Sequence, residues 1–240
     1  MAKIRGKLLF FGLILVITLL SVSVLANAQD LADKDKKDKD IERVDFIHYA
    51  KNTNNGNSAK LPICYKLWVS RGTLLPISYV INPVNSEGLS QEFITNAIFT
   101  SAETWDDSTS KELFNNNYSI DYSAVYGARD YENAIVFGSY PNNGVIAVTS
   151  AWINKRTKQI VEFDILFNDY YNWGDATINT NNMDLQNIAI HELGHSVGLN
   201  DIYTDSCSAV TMYGYGTEGE TDKRTLELAD ITGLQKIYGI

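Results

Sequence analysis

Residues 191 to 201 read His-Glu-Leu-Gly-His-Ser-Val-Gly-Leu-Asn-Asp, and no other stretch narrows so far what the chain can fold into. On a helix, His191 and His195 stand about 6 Å apart along the axis and nearly on one face, so both imidazoles can reach a single cation. Glu192 projects to the flank of that cation, where it can take a proton from a bound water without becoming a ligand. Gly198, three residues after His195, is free to adopt positive φ, stop the helix and swing the chain back. Asp201 then arrives as an oxygen ligand, with Asn200 and Asp205 as its nearest rivals. With three His and two Cys in the chain, the ligands for a zinc finger or an all-His second site are lacking. The remaining imidazole, His48, falls in a segment expected to be a loop. The spacing thus predicts one zinc held by His191, His195 and Asp201 with the fourth position open to water, the pattern of a catalytic site and not a closed structural one.

A length of 240 residues, 45% hydrophobic and 20% charged, suits one ordered domain. Asp and Glu outnumber Lys and Arg by 29 to 20, which argues against nucleic-acid binding by bulk electrostatics. The N-terminus carries Lys3, Arg5 and Lys7, an apolar run over 8–25 and then Ala26-Asn27-Ala28. That is the pattern of an export signal over 1–28, and the run is nearly long enough to serve as an uncleaved anchor. Either way the remainder is expected outside the cell, secreted or held on the outer face of the membrane. Residues 29–60 read as a polar tether: 33–40 consists of Asp and Lys alone, and 51–60 is rich in Asn and Gly. Folding is expected to begin near Leu61, giving a domain over 61–240.

Within it, 73–82 reads as a strand closed by Pro83, and 89–105 as a helix capped near Asn85 or Ser86. Short Val/Ile/Phe-rich runs at 135–137, 145–152 and 159–168 read as further strands. Helices are expected over 184–197 and 226–238. Strands early and helices on one side make an α+β domain with a mixed sheet.

The 191–201 segment resembles the zinc signature of the metzincins, most closely that of matrixin-type zinc endopeptidases. The likeness continues through 208–214, Ser-Ala-Val-Thr-Met-Tyr-Gly, where Met212 matches the methionine turn beneath the zinc. It extends to the closing helix around 226–239, to 98–105, and to the strands at 145–152 and 161–168, so it covers the chain from about residue 73 onward. The resemblance implies a mostly parallel twisted sheet, two long helices, a zinc helix, a methionine turn and a C-terminal helix. It implies peptide hydrolysis by zinc-activated water with Glu192 as base and acid, and an extended peptide lying along an exposed sheet edge at Val145, Ile146, Ala147 and Val148. Residues 213–224 would wall the pocket beyond the cut bond. Two departures stand out: Asp201 replaces the family's third His, and Tyr213 and Tyr215 stand one and three residues after Met212, where some metzincins place a zinc-binding Tyr two after it. Neither Tyr is therefore assigned to the metal, though either could line the cleft or support an oxyanion.

The two Cys, Cys64 and Cys207, are expected to pair as a disulfide in an exported domain. The sharper alternative, Cys64 on the zinc as a latency switch, lacks the family's pattern around Pro62-Ile63-Cys64-Tyr65. Asp164, Asn168 and Asp169 could hold Ca²⁺, against the commoner reading of such oxygens as a solvated turn. Two other functions compete: a non-catalytic surface or binding domain that keeps the fold, and a zinc peptidase of the other large clan with Glu227 as third ligand. The partner expected is a protein or peptide substrate, with no nucleic acid, and the chain is expected to act as a monomer.

Overall fold

The computed structural model describes residues 39–51, 63–69 and 72–240. The chain divides into two units, Met1–Ile41, described only from residue 39, and Glu42–Ile240, which contains the core. The expected export signal over 1–28 lies outside the described residues. Among the described residues no helix is long and apolar enough to cross a membrane.

The architecture is α+β with a mixed, mostly parallel sheet. Seven strands are ordered β3-β2-β4-β6-β5-β1-β9. In chain order they are β1 (Ile41–Ala50), β2 (Val80–Ile81), β3 (Ser119–Ile120), β4 (Ala134–Gly138), β5 (Val145–Asn154), β6 (Ile160–Asn168) and β9 (Tyr215–Gly216). The short β7 (Trp173–Gly174) and β8 (Met183–Asp184) form a separate parallel pair. β2 runs parallel to β3 and β4, and β4 parallel to β6. β5 returns antiparallel to β6. Three helices follow the expected positions: α1 (Gln91–Asp106), α2 (Leu185–Ser196) and α3 (Leu228–Tyr238).

Helix starts are set by side chains that satisfy the otherwise orphan first-turn amides. Ser90 Oγ accepts from Phe93 N (3.1 Å) to open α1, and Asp184 accepts from Asn187 N (2.9 Å) to open α2. The cap expected at Asn85 or Ser86 moves to Ser90 because Asn85 instead pins the preceding loop, accepting from Leu89 N (2.9 Å). α1 and α2 pack together. Trp105 is wholly buried between them, its indole donating to Ile190 O (2.8 Å).

Three expectations are corrected. Of the strand expected over 73–82, only Val80 and Ile81 pair fully, because Pro76 has no N–H for a ladder and Ile77 makes only an isolated bridge to Phe114. The tether expected over 29–60 is interrupted: Ile41–Ala50 is a ten-residue strand within the sheet. Its Val44, Phe46 and His48 turn inward while Glu42, Arg43 and Asp45 stay exposed, a half-buried strand pattern that the flanking Asp/Lys and Asn/Gly runs obscure. The edge expected to be open at Val145, Ile146, Ala147 and Val148 is consequently covered. β5 lies between β6 and β1, and all four residues are buried.

Candidate metal centre

α2 carries His191 and His195 into the interior, both fully buried. Each Nδ1 lies against a carbonyl, His191 to Thr211 O at 2.8 Å and His195 to Leu199 O at 2.9 Å. A carbonyl can only accept, so Nδ1 bears the hydrogen and each Nε2 presents a lone pair. The two Nε2 atoms face each other at 3.2 Å. Asp201 Oδ1 completes the triangle, 3.2 Å from His191 Nε2 and 3.5 Å from His195 Nε2. It has no hydrogen-bond donor. With both imidazoles neutral, three acceptors converge with no donor among them, an arrangement that a cation satisfies. Zinc bonds of about 2.0–2.1 Å at tetrahedral angles set ligand atoms about 3.3 Å apart, which these spacings match. Burial alone would raise the Asp201 pKa, but without a metal the charge on a protonated His195 and hydrogen bonding to both imidazoles outweigh it and hold the carboxyl well below the usual range, while Asp201 in turn raises the His195 pKa.

Local backbone makes the triangle possible. Gly198 has φ of 105°, the left-handed region that ends α2 and turns the chain toward Asp201. Residues 66–68 clasp this turn: Trp68 N donates to Gly198 O (3.1 Å), and Asn200 N to Lys66 O (2.8 Å). Met212 packs beneath the helix, where a Cβ on Gly194 would lie 2.3 Å from its sulfur. Asp230 of α3 holds the methionine turn, accepting from Thr211 N (2.9 Å) and Met212 N (3.2 Å). Since Thr211 O is the partner of His191, this carboxylate braces the histidine at one remove.

Glu192 is buried beside the triangle. Thr149 Oγ1 donates to its Oε2 (2.5 Å), while Oε1 has no hydrogen-bond partner. Burial opposes its charge, yet the neighbouring His48 and the charge that His191 and His195 carry when protonated overcome that and keep its pKa below normal. The site therefore offers an anchored, ionised carboxylate with one bare oxygen next to a triangle of lone pairs.

Other expected residues fall as follows. Tyr213 turns from the centre and donates to Asp205 Oδ1 (3.0 Å), which also removes Asp205 as a rival ligand. Tyr215 lies in β9 opposite Tyr49 and stacks edge-on with Tyr203 at 5.2 Å. Glu227 caps α3 and is not in the triangle. Cys64 and Cys207 form a disulfide with Cα atoms 5.4 Å apart, so Cys64 is not a metal ligand here. The calcium expectation meets a competing use. Asp164 is buried and accepts from Gly127 N (2.7 Å) and Ala134 N (3.1 Å), and Asn168 donates to Val145 O (2.7 Å), so both brace the sheet.

Two residues at the centre were not anticipated. His48 is buried with its ring 3.9 Å from that of His191 and its Nδ1 3.5 Å from Glu192 Oε1. Burial and the neighbouring His191 pull its pKa down to about 4, so it is neutral at pH 7. Tyr203 packs over Gly214, where a Cβ would lie 2.4 Å from its ring, and its hydroxyl donates to Ile47 O (3.4 Å).

A family model described as Matrixin matches residues 68–239. The hatching enzyme of Paracentrotus lividus is 27% identical over 166 residues, 68% of this chain and 25% of its own length. Matrix metalloproteinase-25 of Homo sapiens is 30% identical over 110 residues, 46% of this chain and 19% of its own. The matched region spans a quarter or less of these relatives.

Proposed function

The chain belongs to the matrixin family, and on that premise we propose that it is an exported zinc-dependent endopeptidase hydrolysing peptide bonds in proteins or peptides. The observation that carries this reading is the pairing of a donor-free triangle, His191, His195 and Asp201, with the bare Oε1 of Glu192.

His191 and His195 would hold the ion through Nε2, their rings oriented by Thr211 and Leu199, and Asp201 would supply the third ligand. Zinc, when bound, supplies a Lewis acid that acidifies water and polarises a carbonyl. Glu192 Oε1 takes the proton of the attacking water and returns it to the amine nitrogen as the carbon–nitrogen bond breaks. Thr149 keeps the other oxygen occupied, so the base acts from one fixed atom. Met212 supports the helix from below and takes no proton.

Export is supported by the signal-like residues 1–28 and by the disulfide, a bond that persists in oxidising compartments. The test is casein digestion by the purified chain with and without chelator, alongside elemental analysis. One zinc per chain is expected, with hydrolysis lost on chelation and restored by zinc. Asp201→Ala should lose the metal, whereas Glu227→Ala should keep it. Digestion that survives complete metal removal would refute the reading.

A further inference from the structure

The C-terminal end of α1 gathers negative charge. Glu103 and Asp106 stand three residues apart on the last turn, neighbours on the helix surface, and Asp107 follows as the cap residue. That turn holds no base, and the helix dipole adds its negative end at the same place. Among the described residues neither Glu103 nor Asp106 is in an ion pair.

Both acids are partly sunk into the fold. Asp106 Oδ1 accepts from Leu113 N (2.7 Å) and Phe114 N (3.2 Å), which fixes the side chain and leaves Oδ2 buried with no hydrogen-bond partner. Glu103 Oε1 is likewise buried without one. A third oxygen comes from the sheet side. Tyr79, which directly precedes β2, is 2% exposed, and its hydroxyl also has no partner. The residues that lead to the two acids bracket its ring. It lies edge-on to Phe114 at 6.1 Å, and the Phe114 N–H is one of those that hold Asp106. It stacks at 6.0 Å on Tyr118, which in turn lies 6.0 Å from Phe99, one helical turn before Glu103. Burial, then Tyr118, Glu103 and Asp106, raise the Tyr79 pKa, so the hydroxyl faces both carboxyls and is neutral at pH 7. Burial pushes Asp106 up to about 6, opposed by its two amides and assisted by Glu103 and Glu112. Burial, Glu112 and Asp107 raise Glu103. Buried polar atoms of a native fold are nearly always paired, and three orphan oxygens at one place, two of them on acids, make an arrangement that a bound cation satisfies.

We propose that Tyr79 OH, Glu103 Oε1 and Asp106 Oδ2 form a calcium site, completed by water, that ties the end of α1 to the strand region ahead of β2. The set contains neither nitrogen nor sulfur, and carboxylates with a neutral oxygen suit a hard cation. Calcium accepts an irregular shell, whereas magnesium demands a near-ideal octahedron. Two carboxylates place the affinity in the weak class of extracellular sites, with a Kd of about 10⁻⁴–10⁻³ M. The metal centre would gain support at one remove, since Trp105, between the two acids, donates to Ile190 O one residue before His191. The site uses none of Asp164, Asn168 and Asp169 and does not depend on the endopeptidase reading.

The test uses the full purified chain with calcium chloride as the probe. In equilibrium dialysis at saturating calcium, Glu103→Gln and Asp106→Asn should each hold one ion fewer than wild type. The Asp106→Asn amide keeps an oxygen for the Leu113 and Phe114 N–H groups, so the loop it braces stays in place. Tyr79→Phe should weaken binding and leave the count at saturation unchanged. Calcium at about ten times its Kd, at matched ionic strength, should raise the wild-type Tm by about 3–6 °C. Magnesium at the same concentration should raise it less, and the calcium shift should shrink in Glu103→Gln and Asp106→Asn. The calcium-free Tm of Glu103→Gln should equal or exceed that of wild type, because a poorly paired acid is removed, and this separates loss of the ion from loss of the fold. Equal calcium content in wild type, Glu103→Gln and Asp106→Asn would overturn the proposal, as would a wild-type Tm that calcium does not move.

Discussion

Thr149 ties down one oxygen of Glu192 and leaves the other bare inside a buried site, so the functions of anchoring and of proton transfer fall on separate atoms. Glu192→Gln tests that separation, since the amide oxygen can still accept from Thr149 while the bare position loses its basicity. Casein hydrolysis should fall by about 10²- to 10⁴-fold, the span ascribed to a positioned base. Zinc content should stay at one per chain, because Glu192 is not in the triangle. A variant retaining near-wild-type rate with full zinc would remove Glu192 from the role. Tyr203 makes a different claim. Its ring packs over Gly214 beside Asp201 Oδ1 and its hydroxyl donates to Ile47 O (3.4 Å), so a substrate carbonyl brought to the metal from that side would meet a donor able to act on charge that develops during reaction. Tyr203→Phe should lower kcat by about 10- to 100-fold and leave KM nearly unchanged; a rise in KM alone would mark the tyrosine as a binding contact only.

Between elements, the methionine turn and α3 are joined by one buried carboxylate. Asp230 accepts from Thr211 N, Met212 N and Glu227 N, and burial raises its pKa despite those three donors. Asp230→Ala would leave three amides without a partner, at a cost of about 1–3 kcal/mol each where they cannot reach water. Urea unfolding should show a loss of about 3 kcal/mol or more, and zinc affinity should fall because Thr211 O no longer holds His191 in place. The elements differ in how plainly the sequence announces them. The 191–201 segment was readable because helix period, glycine turn and ligand chemistry all point to one geometry, and the structure does bring its three candidate ligands together. β1 was not, because its alternation of Val44, Phe46 and His48 spans few residues between two strongly polar runs, and the parallel pairing with β9 joins residues far apart in the chain. Misplacing β1 also hid His48 and left β5 looking like a free edge. Tyrosine spacing after Met212 could not reveal that Tyr203, nine residues before it, is the one that faces the Ile47 carbonyl, since that follows from the packing of its ring over Gly214.

On the scale of the whole molecule the disulfide binds together the parts that position Asp201. Cys64 opens the segment whose Lys66 and Trp68 clasp the turn at Gly198 and Asn200, and Cys207 lies in the loop between Asp201 and Met212. Both approaches to the third ligand are thereby fixed to each other. The bond spans 143 residues, and a loop of that size lowers the entropy of the unfolded chain enough to stabilise the fold by about 5 kcal/mol in the chain-entropy treatment. Paired Cys64→Ser and Cys207→Ser substitutions should therefore lower Tm by about 10 °C or more for a domain of this size. A purely entropic staple would stop there, leaving the native site untouched. Because the clasp holds the Asp201 turn directly, the paired variant should also bind zinc more weakly at temperatures where circular dichroism shows it fully folded. Competition against a chromogenic chelator, run well below the lowered Tm, separates the two effects. A reduced Tm with unchanged zinc affinity would confine the disulfide to global stability and leave the 66–68 backbone bonds to hold the ligand turn alone.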